Sequence, residues 1–305
     1  MEKNWDATRI PDQRGRLAVV TGANSGLGKA TATELARHGA RVVLAVRNTA
    51  AGARAADEIR AECPGAELEV RELDLASLAS VRAFADAFLA DHPAVDLLVN
   101  NAGLVILGDP GRTADGFELH FGTNHLGHFA LTGLLLPVIT GRVVSLSSIT
   151  HKNKRLELDQ THSPSIAYGI SKLATTVFGL ELDRRLRAAG SPVISVLAHP
   201  GVTVTNLTPR AIGQKGWLLR QVTRLNPLFI APVRTGVLPQ LYAATAPDVR
   251  GGQFFGPAGW REIRGPVTEV RASDEARDPA VGQRLWTISE ELTGVRPIIR
   301  STSSG

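Results

Sequence analysis

Leu17-Ala18-Val19-Val20-Thr21-Gly22-Ala23-Asn24-Ser25-Gly26-Leu27-Gly28 is the stretch that decides the architecture. Leu17 to Val20 is a short apolar run with the character of a buried strand. It passes into a turn containing Gly22, Gly26 and Gly28, and the helix-like stretch Lys29 to His38 follows. Glycine lets the backbone turn sharply and come close to a ligand. The helix that opens there points free N–H groups and its positive dipole end at an anion. Strand, glycine turn and helix in this order make a cradle for the pyrophosphate of a dinucleotide, contributed by Gly22, Asn24, Ser25, Gly26, Leu27 and Gly28. A plain glycine-rich βα turn is the alternative; the flanking elements favour the cradle.

Further β-like runs at Val42 to Val46, Leu68 to Leu73, Leu97 to Asn100, Val143 to Ser147 and Ile194 to Ala198 alternate with helix-like segments. This alternation predicts an α/β fold, a Rossmann-type doubly wound parallel sheet flanked by helices, with ligands at the carboxyl ends of the strands. The second strand ends at Val46 with Arg47 behind it. A carboxylate at this place would bond both ribose hydroxyls of NAD and repel the extra phosphate of NADP, whereas an arginine pairs a phosphate through charge-assisted, bidentate bonds. The expected cofactor is therefore NADP, with NAD less favoured.

A second signal lies in Tyr168-Gly169-Ile170-Ser171-Lys172, about twenty residues after Ser147-Ser148. A phenol and an ammonium four residues apart share a helix face, and the positive charge is expected to lower the phenol's pKa toward neutrality. A tyrosine so placed trades protons near physiological pH.

Thr21, Gly22, Gly26 and Gly28, taken with Tyr168 and Lys172, resemble the short-chain dehydrogenase/reductase family. Asp74-Leu75, Asn100-Asn101-Ala102-Gly103, Asn124 and Pro200-Gly201 match further pieces of its pattern in the family's order, over roughly residues 15 to 205. Val46-Arg47-Asn48, Asn124-His125-Leu126-Gly127-His128-Phe129 and His199-Pro200-Gly201 are most similar to the branch that holds retinol dehydrogenases, WW-domain oxidoreductases and protochlorophyllide reductases. The resemblance implies hydride transfer between a nicotinamide and a carbonyl or alcohol group. Tyr168 would be the acid or base. Lys172 would tune it and hold the nicotinamide ribose. Ser148, the second of its pair, would bond the substrate oxygen, and Asn124 would anchor a water that relays protons to Lys172. Asp74, Leu75, Asn101, Ala102, Gly103, Pro200, Gly201, Thr203 and Thr205 would line the cofactor. Relatives commonly form dimers or tetramers through helices near Phe129 and Tyr168.

The chain has 305 residues, which suits one such domain without a second. One cysteine, Cys63, excludes an intramolecular disulfide and a cysteine metal cluster. Met1 to Gly15 is too charged and proline-broken for a signal peptide, and no apolar run approaches the length of a membrane span, so a cytoplasmic protein is expected. The most apolar run, Phe129 to Ile139, reads as a core or subunit-contact helix. The net charge of +5 is dispersed among few aromatic residues, which argues for solvated surface and against nucleic-acid binding. His120, His125, His128, His151, His162 and His199 lack ligand spacing, so no metal is expected.

Residues 207–232 occupy the family's variable lid. Trp217, Leu218, Leu219, Val222, Leu225, Leu228 and Phe229 recur there at roughly helical spacing, as in an amphipathic lid over an apolar substrate, a packing helix or a membrane-surface helix. The segments 251–257 and 285–294 read as packing and closure, and Ser301 to Gly305 as a disordered tail. Two alternatives to the oxidoreductase stay open. An epimerase or dehydratase on this scaffold is disfavoured by the glycine spacing. A non-catalytic NADP-binding sensor is disfavoured by the intact set Asn124, Ser148, Tyr168 and Lys172.

Overall fold

The computed structural model describes residues 4–106, 108–109, 111–158, 162–203 and 231–300. Thr205, most of the expected lid and the C-terminal tail lie outside the described residues. Eight strands form one sheet: β1 (Leu17–Thr21), β2 (Arg41–Val46), β3 (Leu68–Glu72), β4 (Val95–Asn100), β5 (Ile139–Leu146), β6 (Ile194–Ala198), β7 (Phe254–Pro257) and β8 (Val267–Glu269). Their order is β3-β2-β1-β4-β5-β6-β7-β8. All pairs are parallel except β7 with β8. Chain order reverses between β1 and β4, which opens a crevice at their carboxyl ends.

Central parallel strands are covered on both faces and therefore read as continuous apolar runs. Val42, Leu44 and Val46 point to one layer with Leu35 of α1 (Gly26–Arg37) and Ile59 of α2 (Thr49–Glu62). Val43 and Ala45 point to the opposite layer, with Phe84 and Phe88 of α3 (Leu78–Asp91). A short α4 (Leu119–Phe121), a π turn (Gly122–Leu126) and α5 (Gly127–Leu135) follow one another without a break. The 25-residue α6 (Pro164–Ala188) carries Tyr168 and Lys172. Beyond it come α7 (Val233–Gly236), α8 (Leu238–Thr245), α9 (Asp274–Arg277) and α10 (Pro279–Thr293). Side-chain caps mark several helix starts, with Asn48 accepting the Ala51 N–H at 2.8 Å and Asp278 that of Ala280 at 2.8 Å. Gly294, at φ 64°, ends α10 in the left-handed conformation.

Two readings of the sequence need correction. The segment 251–257 does more than close the fold: Phe254–Pro257 is β7, which extends the parallel sheet, and the short β8 reverses back onto it. The run Phe129 to Ile139 is not one helix, because Pro137 sits in a 3-10 turn after α5 and Ile139 already begins β5.

Phe129 itself is core: its ring meets Phe178 at 5.6 Å and Trp286 at 5.2 Å between centroids, both edge-on. These contacts join α5, α6 and α10 behind the sheet. Phe129→Ala leaves a cavity in a fully buried site and should lower the free energy of urea unfolding by about 3–5 kcal/mol. A loss under about 1 kcal/mol would contradict this packing.

Candidate active site

The glycine turn has the geometry of a ligand cradle. Gly22 (φ 66°) and Gly26 (φ 56°) hold left-handed backbone that glycine adopts without strain. At Gly28 a β-carbon would lie 2.5 Å from both the Gly22 carbonyl and Asn101 Nδ2, so no side chain fits. The first-turn N–H groups of α1 have no acceptor within the helix, and Ser25 at its N-cap makes no side-chain cap. These donors at a positive helix end fit a pyrophosphate.

Thr21 locks this turn to the next strand end. Its hydroxyl accepts the N–H groups of Asn101 and Ala102 at 3.0 and 2.9 Å, and Asn101 Nδ2 donates to the Thr21 carbonyl at 2.8 Å. Asn24 sits half-buried within the same turn. Arg47 is exposed directly after β2, with no ion-pair partner among the described residues. After β3, the Asp74 carboxylate accepts the Ala76 N–H at 2.9 Å, and the Leu75 backbone lies so close to α5 that a β-carbon at Gly127 would fall 2.4 Å from its carbonyl. After β6, Gly201 (φ 67°) donates to His199 Nδ1 at 3.2 Å and Thr203 Oγ1 to the Pro200 carbonyl at 2.9 Å. The sequence-predicted cofactor residues within the described region thus gather at the carboxyl edge of the sheet.

The four residues expected to move protons converge on the same edge. Asn124 is buried in the π turn, a distortion often found at functional positions. Its Nδ2 donates to the Leu104 carbonyl at 3.1 Å and to Ser171 Oγ at 3.0 Å, while its Oδ1 accepts the Leu104 N–H at 2.9 Å. A β-carbon at Gly103 would sit 3.3 Å from both Asn124 Oδ1 and Lys172 Nζ, so these two groups face one small space. Lys172 Nζ donates to the Leu146 carbonyl at 2.9 Å, and burial brings its pKa down to about 8.

The structure separates the serine pair. Ser147 is buried and bonds Thr176 Oγ1 at 2.7 Å, whereas the Ser148 hydroxyl accepts the Thr150 N–H at 3.3 Å and lies close enough to the Tyr168 phenol to lower its pKa. One expectation is reversed. The phenol's pKa is raised, because burial outweighs the lowering influence of the Ser148 hydroxyl. The phenol is therefore a neutral proton donor in this arrangement.

Several residues around these groups carried no role in the sequence reading. His120 is fully buried, with its ring 6.0 Å from that of Tyr168; Nδ1 donates to Glu118 Oε1 at 2.7 Å and Nε2 accepts the Ile106 N–H at 3.0 Å. His128 Nδ1 donates to the Asn124 carbonyl at 3.1 Å, leaving Nε2 to accept from Thr21 Oγ1 at 3.0 Å. Burial lowers the His128 pKa to about 4 and keeps the ring neutral. The i, i+4 spacing of Asn124 and His128 was the one sequence signal for that contact.

A phenol, a hydroxyl, an ammonium and a carboxamide beside an anion cradle can bind an oxygen-bearing ligand and exchange a proton with it. A family model described as short chain dehydrogenase matches residues 16–215. The chain is 40% identical to retinol dehydrogenase 12 of Mus musculus, over 92% of this chain and 87% of that protein. It is 42% identical to polyprenol dehydrogenase of the same species, over 93% of this chain and 86% of that one. A crystal structure of a protein from Mycobacterium paratuberculosis superposes with a TM-score of 0.80 at 40% identity, covering 97% of this chain and 100% of its own. With the glycine turn, the strand order and the strand-end residues all in place, the chain belongs to the short chain dehydrogenase family, in its retinol dehydrogenase branch.

Proposed function

We propose that the protein is an NADP-dependent oxidoreductase that interconverts a carbonyl and an alcohol on an apolar substrate. The observation that carries this reading is the convergence of Lys172 Nζ and Asn124 Oδ1 on one small space beside Gly103, with the Ser148 hydroxyl acting on the Tyr168 phenol and the glycine cradle at the same sheet edge. Bound NADPH would supply the hydride to the carbonyl carbon. Ser148 Oγ orients the substrate oxygen and stabilises its developing charge. Tyr168 Oη delivers the proton, and its raised pKa keeps that proton in place until the oxygen becomes basic. Lys172 holds positive charge next to the reacting oxygens. Asn124 fixes α6 to the turn at Leu104; the second lone pair of its Oδ1 is left to anchor a water toward Lys172.

Gly22, Asn24, Ser25, Gly26, Leu27 and Gly28 would hold the pyrophosphate, and Arg47 the additional phosphate of NADP. Asp74, Leu75, Asn101, Ala102, Gly103, Pro200, Gly201 and Thr203 would line the rest of the cofactor. Retinol and polyprenol, named for two of the relatives, are apolar alcohols, which supports an apolar substrate. Among the described residues no helix is long and apolar enough to cross a membrane.

The enzyme and the sensor readings are separated by Tyr168→Phe. Turnover of an aldehyde, ketone or retinoid panel should fall by about 10²–10⁴ while the Kd for NADPH stays within about twofold; an unchanged rate would remove the proposed acid. The pH dependence follows from Lys172, which is charged below about 8 and neutral above it. Carbonyl reduction should decline as pH rises through about 8, and Lys172→Met should be slow at all pH and lack this limb. At the ribose end, Arg47→Asp removes the phosphate partner and adds repulsion. The ratio of kcat/KM for NADPH over NADH should drop by at least about tenfold; an unaltered ratio would show that Arg47 does not select the cofactor.

A further inference from the structure

A chain of His199, Glu262 and Lys152, outside the proton-transfer set, joins the two loops that flank it. His199, at the end of β6, is fully buried with its ring edge-on to Phe254 at 5.3 Å. Its Nδ1 accepts the Gly201 N–H at 3.2 Å, so the ring proton sits on Nε2, which donates to Glu262 Oε2 at 3.0 Å. The other oxygen of Glu262 takes Lys152 Nζ. Lys152 follows His151, another buried histidine, whose Nδ1 donates to the Ser148 carbonyl at 2.7 Å and whose Nε2 accepts the Ser273 N–H at 3.4 Å. One carboxylate thus links the loop bearing Ser148 to the loop bearing Gly201.

The backbone that carries this carboxylate is costly. Arg261 and Glu262 both lie in the left-handed region, at φ 50° and 58°, where non-glycine residues are disfavoured. The surroundings are shaped to receive it. A β-carbon at Gly256 would fall 2.2 Å from His199 Nε2, and one at Gly201 would fall 2.2 Å from the Ile263 carbonyl. Val202 N–H donates to that same carbonyl at 3.0 Å. Burial works to raise the pKa of Glu262, yet hydrogen bonds from His199 and Lys152 bring it to about 2, so it stays anionic. Apolar packing would hold a hairpin here without desolvating a charge pair; a carboxylate adds fixed direction at both of its oxygens.

We propose that Glu262 is a positioning residue that sets the gap between the Ser148 loop and the Pro200–Thr203 loop, the gap in which nicotinamide and substrate must fit. This rests on the dinucleotide reading above. Fluorescence titration with NADPH, alongside thermal melting, tests it. Glu262→Gln should fold with a Tm within a few degrees of wild type and weaken NADPH by about tenfold. His199→Asn keeps an acceptor for Gly201 but cannot reach Glu262, and should give the same loss. The double variant should bind no worse than either single one, because both cut one link. Glu262→Gln binding NADPH within about twofold of wild type, or a double variant with additive losses, would overturn the proposal. Should Glu262→Gln not fold, Lys152→Met at its partly exposed site decides: kcat should fall about tenfold with NADPH affinity changed less than about threefold, and an unchanged kcat overturns the coupling to Ser148. Wild-type protein that fails to bind NADPH would instead overturn the dinucleotide reading, and the positioning role with it.

Discussion

The carboxamide of Asn124 bonds the backbone of Leu104 in both directions, at 2.9 and 3.1 Å, and Ser171 Oγ at 3.0 Å, so the turn after β4 and helix α6 cannot shift independently. The same residue's carbonyl accepts from His128 and from Thr175 Oγ1 at 3.2 Å. Through His128 this tie reaches Thr21, and through Thr21 the turn of Asn101 and Ala102. Such a network is buried, neutral and satisfied, and in the protein interior each of its bonds is worth more than in water. It gives a single register between the helix that carries Tyr168 and Lys172 and the strand ends that form the cradle. Asn124 makes these bonds from within the π turn Gly122–Leu126.

The electrostatic character of the site follows from this packing. Lys172 is buried with a carbonyl as acceptor and no carboxylate partner among the described residues, which leaves positive charge facing the cleft. The open N-terminus of α1 adds to it, and so does Arg47 at the rim. A cleft of this kind is prepared for an anionic ligand. Burial lowers the lysine and raises the phenol, moving both toward their neutral forms. A negatively charged ligand beside Lys172 would pull its pKa back up.

Much of this was legible in the chain. The strands from β1 to β6 announce themselves as apolar runs because both faces of a parallel sheet are covered. The glycine turn is legible because Gly22 and Gly26 hold left-handed backbone and Gly28 stands where no side chain fits. Of the two serines, Ser147 is tied into the fold through Thr176, a contact 29 residues away that no local pattern announces. By contrast, β7 and β8 are four and three residues long, too short to show a period, and β7 contains glycine and proline. Helix spacing placed a cation near a phenol, but the sign of the phenol's shift is set by its burial, which helix spacing does not report. The link from Lys152 to Glu262 spans 110 residues and the one from His199 to Glu262 spans 63, so no local pattern could pair them.

The proposed hydride transfer requires a nicotinamide and a carbonyl to meet at the Tyr168 phenol. Its most direct test follows the hydride itself: NADPH carrying deuterium at the transferable position of the nicotinamide ring is incubated with the protein and an apolar aldehyde, and the product is weighed by mass spectrometry. One deuterium on the new carbinol carbon for each NADPH consumed is the result expected. Binding of NADPH with no deuterium in any product of an aldehyde, ketone and retinoid series would contradict it.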